Sequence, residues 1–132
     1  MHASRHAIIL LAASVATLIL APTALADANS EVVTAATHAS LAAGSADITG
    51  VHTHLHHALN CLVGPKGNGF DAKELNPCAQ SGKGAIPDTS DPTKKAALES
   101  TAAKARSGIA ANDYKASQKD AADLASMLKQ AK

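Results

Sequence analysis

Apolar residues recur every three to four positions in four stretches of the chain, and strict apolar–polar alternation is absent. That period belongs to helices packed by one face, not to strands. The first stretch predicts a helix over about 30–43, capped by Asn29 or Ser30, with Val33, Ala36, Ser40 and Ala43 on one stripe. Gly44-Ser45 ends it. Asp47 caps a second helix reaching about Val63, whose residues Ile48, Val51, Leu55, Leu59 and Leu62 keep helical spacing. Gly64-Pro65 stops that helix and opens an irregular stretch, 64–90, rich in Gly, Pro, Asn and Asp. Within it, Asp71-Ala72-Lys73-Glu74 has capping-box spacing and predicts one short helical turn.

Asp91-Pro92 reads as an N-cap followed by proline at the first helical position, so a third helix runs to about Ala111. Leu98, Ala102, Ala105 and Ile109 form its stripe, and Gly108 is expected to weaken its last turn. Asn112 or Asp113 caps a fourth helix carrying Tyr114, Ala121, Leu124 and Leu128. An offset of 66 residues superposes Asp47 on Asp113, Ile48 on Tyr114, Leu55 on Ala121 and Leu62 on Leu128. Two related hairpins, 29–63 and 91–131, predict an all-α fold: a four-helix up-down bundle with the irregular loop between the hairpins.

The N-terminal 26 residues carry a different pattern. Arg5 precedes an uncharged apolar run from Ala7 to Leu20, Pro22 breaks it, and Ala24-Leu25-Ala26 offers the small residues of a signal-peptidase site. The expectation is a cleaved signal peptide, 1–26, and a single helical domain, 27–132, that is periplasmic or secreted and has no membrane attachment after cleavage. Removing Arg5 leaves equal numbers of Lys+Arg and Asp+Glu. A neutral chain whose aromatics are Phe70 and Tyr114 alone has neither the basic face nor the stacking platform of a nucleic-acid binder.

An exported chain with two cysteines implies a disulfide, Cys61–Cys78, in preference to a thiolate metal site at Cys61. Closing that loop is worth about 3 kcal/mol in the chain-entropy description. It would tether the long irregular stretch to the end of the second helix.

The chemistry-bearing feature is Val51-His52-Thr53-His54-Leu55-His56-His57. Histidine is a mediocre helix former, so propensity does not explain four imidazoles in six positions. His52 and His56 stand at i,i+4 on one flank of the apolar stripe, the spacing at which one helix turn offers two nitrogens to one ion. His54 lies on the other flank, in line with Cys61, and His57 points most nearly to solvent. If the hairpin turns about Ser45, His38 comes opposite His52 and supplies a third ligand. Three imidazoles suit copper(II), zinc or nickel, and binding weakens as pH drops through about 6.5. Ligating histidines usually hand their other N–H to an acceptor, and Asp47 and Glu31 are the nearest carboxylates.

The competing reading makes the histidines ordinary solvated side chains on a non-metal interaction or structural module that uses the 64–90 loop, around Phe70, as its contact surface. Enzymatic turnover is not expected. The chain lacks Cys-x-x-Cys-His, His-Glu-x-x-His and a P-loop, and Gly64-Pro65-Lys66-Gly67-Asn68-Gly69 follows a helix where a phosphate loop would follow a strand.

With its leader, its alanine-rich hairpins and His38, His52, His54, His56 and His57 on helices, the chain resembles the periplasmic small metal-binding proteins of proteobacteria. The resemblance implies a four-helix bundle that binds copper and other divalent ions and acts in metal buffering.

Overall fold

A computed structural model describes residues 27–132, and the expected leader lies outside the described residues. These residues form five helices and no strand: α1 (Ala28–Ala43), α2 (Ile48–Val63), the short α3 (Ala85–Asp88), α4 (Pro92–Ala110) and α5 (Tyr114–Gln130). Helices α2 and α5 begin at the 66-residue offset seen in the sequence.

Each long helix starts behind an aspartate whose carboxylate accepts backbone N–H groups that have no partner inside the helix. Asp47 accepts from Gly50 at 2.8 Å, Asp91 from Lys94 at 2.8 Å and Asp113 from Ala116 at 2.8 Å. For α1 the cap is Asp27, not Asn29 or Ser30, and those two residues donate to its Oδ1 at 3.1 and 3.2 Å.

The buried face of α1 also differs from the expected stripe. Val32, Ala35, Ala36, Ala39 and Ala42 point inward, while Val33 is 45% exposed. In a helix this rich in alanine the apolar pattern is nearly isotropic, so which neighbours it meets decides its rotation. Those neighbours are α2 and α5, and α4 in turn packs on α5 and α2. The bulk of the core comes from Leu55, Leu59 and Leu62 of α2, Leu98 of α4, and Leu124 and Leu128 of α5.

Gly108 proves to be a crossing point and not a weak turn. A Cβ there would lie 2.7 Å from Leu55 Cδ1, and the Ser117 hydroxyl donates to the Gly108 carbonyl at 2.8 Å. Only a glycine lets α4 meet α2 and α5 this closely. At the other end of the offset, Tyr114 donates its hydroxyl to the Ser45 carbonyl at 2.7 Å, and Gln118 donates to the Ala43 carbonyl at 2.9 Å. The start of α5 thus holds the turn between α1 and α2.

Three fully buried residues, Cys61, Asn60 and Glu31, help to pin the loop. Cys61 and Cys78 are joined in a disulfide and both are buried. Asn60, fully buried, donates to the carbonyls of Asp71 and Leu75 at 2.9 and 3.2 Å and accepts from the Asp71 N–H at 2.9 Å. Glu31, also fully buried, accepts from the Gly84 N–H at 2.9 Å. The helical turn expected at Asp71–Glu74 is a single hydrogen-bonded turn. The Asp71 carboxylate accepts from Lys73 N–H at 2.9 Å, a local bond that competes with helix, and the loop's helix is α3 instead. No helix among the described residues is long and apolar enough to cross a membrane.

Candidate metal centre

Helix α2 presents its histidines to different neighbours, and the flank that meets α1 is the one carrying His54, His57 and Cys61. His38 of α1 faces that flank. Its Nδ1 lies 3.3 Å from Nδ1 of His54, and one nitrogen from each of His38, His54 and His57 lies within 4.8 Å of the others. The His57 ring stands edge-on to both partners, with centroids 5.1 Å from His38 and 5.6 Å from His54. Two ring nitrogens at that 3.3 Å separation share either a proton or a cation. For metal–nitrogen bonds of about 2.0–2.1 Å, neighbouring tetrahedral ligands lie about 3.3–3.4 Å apart, so the His38–His54 spacing already matches one edge of such a site.

His57 is oriented by a carboxylate. Its Nε2 lies 3.5 Å from Oε2 of Glu74, while its Nδ1 is buried and has no hydrogen-bond partner among the described residues. Glu74 stands in the loop turn that Asn60 and the Cys61–Cys78 disulfide hold against α2. A proton on Nε2, held by Glu74, leaves the Nδ1 lone pair for a ligand bond, the usual arrangement of a metal-ligating histidine and its acceptor. Burial, together with the neighbouring imidazoles, holds the pKa of His38 and of His57 below the ordinary 6.5, and Glu74 opposes this in part at His57. Both rings therefore favour the neutral form that binds metals.

The i,i+4 pair expected to lead the site is not part of this group. His52 Nε2 lies 3.1 Å from the carbonyl of Ala111, the residue that caps the end of α4. His56 Nδ1 lies 3.9 Å from Asp71 Oδ2 in the loop. His57, expected to face solvent, is only 9% exposed. The physical reason is the same for all three: α1 packs on the opposite flank of α2 from the one assumed by counting back from the Ser45 turn. His38 therefore meets His54 and His57 in place of His52.

Of the carboxylates expected to serve, Asp47 caps α2 and Glu31 binds Gly84. Glu74 was not foreseen, since its place depends on how the loop folds back. Its position four residues before a tethered cysteine was the available signal. Phe70, expected on the loop's contact surface, is partly buried against the core. Comparison with protein-family models, curated proteins and solved structures finds no match to the chain.

Proposed function

We propose that this chain is an exported metal-binding protein that holds a copper(II) or similar divalent transition-metal ion through His38, His54 and His57, and that it buffers or sequesters the ion without enzymatic turnover. The observation that carries this reading is the buried Nδ1 of His57. It lacks a partner among the described residues while the same ring is oriented by Glu74 and stands beside two further imidazoles. Leaving a buried nitrogen unpaired costs free energy, and a cation recovers it. The internal disulfide supports an oxidising compartment, in keeping with a leader over 1–26. The four long helices are read as an up-down bundle of two hairpins, with the ion held within the first.

Titration calorimetry with copper(II) and with zinc tests the assignment. His57→Ala is expected to weaken binding by at least tenfold, and Glu74→Ala by about 10–100-fold, the usual effect of losing an orienting acceptor. His52→Ala, whose ring serves the end of α4, is expected to leave affinity unchanged. Equal binding by the wild type and a His38→Ala/His54→Ala/His57→Ala variant would remove the site.

A further inference from the structure

The molecule holds a second feature, which shares none of the proposed metal ligands. A cavity of about 580 Å³ lies between the face of α4 carrying Lys95, Ala102 and Arg106 and the two loop segments around Lys66 and Lys83. Its size falls within the roughly 300–1,000 Å³ of small-molecule sites. Val63, Ile86, Pro87 and Ala102 supply apolar lining. Four cationic residues, Lys66, Lys83, Lys95 and Arg106, border it as well, against one acid, Glu99.

Two properties distinguish this cavity from an ordinary solvated groove. The two loop segments that border it are joined by close backbone contact next to the lining residues. Gly64 and Gly84 both have positive φ, at 67° and 114°, and a Cβ on Gly84 would lie 2.5 Å from the Gly64 nitrogen. Buried Glu31 fixes the same segment by accepting the Gly84 N–H at 2.9 Å. Moreover, the cations are uncommitted: none of the four forms an ion pair among the described residues, and Arg106 donates only to the Asn68 carbonyl, at 3.3 Å.

We propose that this cavity binds an amphipathic organic anion, an apolar alkyl or aryl body carrying a carboxylate. A neutral apolar guest would desolvate the lysines without compensating their charge, and that is costly. An inorganic anion would leave the apolar lining wet. A ligand with both parts satisfies both surfaces, its acid group meeting Lys66, Lys83, Lys95 or the free N–H groups of Arg106.

The experiment is a heteronuclear NMR titration of the purified protein with decanoate, with decan-1-ol and with inorganic phosphate. Saturable shifts at Ile86 and Ala102 are expected with decanoate, with affinity at least about tenfold above that for the alcohol and falling as salt is raised. K66E/K95E should weaken decanoate by about tenfold or more, while His57→Ala leaves it unchanged, so this site and the metal centre fail independently. Should K66E/K95E perturb folding, K66Q/K95Q provides the same comparison without charge reversal. Equal affinity for acid and alcohol, no saturable shift at Ile86 and Ala102, no effect of removing the lysine charges, or binding only to phosphatidylglycerol vesicles would each overturn the proposal.

Discussion

The hairpin made by α1 and α2 and that made by α4 and α5 share an offset of 66 residues, aspartate caps and leucine-bearing second helices, yet they are chemically unlike. All five histidines of the described region lie in the first, with Cys61 and the buried Glu31. The second carries surface ion pairs, Lys104–Asp120 at 3.1 Å and Lys119–Asp123 at 2.6 Å, and packs through a glycine crossing at Gly108. The same backbone pattern thus serves two ends. The first hairpin buries polar groups that need help from the loop, whereas the second is a close-packed support whose Tyr114 and Gln118 hold the turn of the first. The substitutions below separate these roles.

The largest effect is expected from Cys61→Ser/Cys78→Ser. Opening the tether should cost about 3 kcal/mol in chemical denaturation. It should also lower metal affinity, because Glu74 sits on the tethered loop. Asn60→Ala comes next, at about 2 kcal/mol, since it strips the Asp71 N–H and the loop carbonyls of their buried partner. Its metal affinity should fall with that of Glu74→Ala. Unchanged affinity in Asn60→Ala would show that the loop does not position the acceptor.

In the second hairpin, Gly108→Ala sharpens the contrast. On an open helix this change stabilises by about 1 kcal/mol. Here the new methyl would lie 2.7 Å from Leu55 Cδ1, inside a closed core. Overpacking costs typically about 1–3 kcal/mol, so a net loss of about 1 kcal/mol in thermal denaturation is expected, with metal affinity retained. A gain in melting temperature would mean that the crossing is looser than its geometry indicates.

What was legible in the sequence follows the same division between local and tertiary causes. Asp47, Asp91-Pro92 and Asp113 could be read because a cap is a contact across three or four residues. The disulfide followed from cysteine parity and the oxidising compartment that the expected leader implied. Leu55, Leu59, Leu98, Leu124 and Leu128 stood out because leucines repeating at helical spacing mark one face of their helices. Val33 misled because two adjacent valines on a small-residue helix point 100° apart with nothing local to choose between them. The histidine cluster was visible as composition. Which imidazoles meet depends on the flank of α2 that α1 covers, and Glu74 on a loop fold that no periodicity encodes.

The effect confined to a pH window concerns the buried carboxyl of the first hairpin. Burial raises the Glu31 pKa from its ordinary 4.5 to about 7, with Asp88 and Asp27 adding to the rise and the Gly84 N–H opposing it. The folded state therefore holds this proton more tightly than the unfolded chain. The resulting stability is fully present below about pH 4.5 and is lost as pH rises through about 7. Glu31→Gln keeps an oxygen for the Gly84 N–H and has no proton to lose. Denaturation curves of the two proteins should coincide near pH 4 and draw apart between about pH 4.5 and 7, the variant becoming the more stable. His38 and His57, held below their ordinary pKa, shift stability in the opposite sense, lowering it as pH falls below about 6.5. They are common to both proteins, so the difference curve isolates Glu31. A difference that does not grow between pH 5 and 8 would show that the carboxyl is ionised in the fold at no cost, and with that the first hairpin would be no more burdened by buried charge than the second.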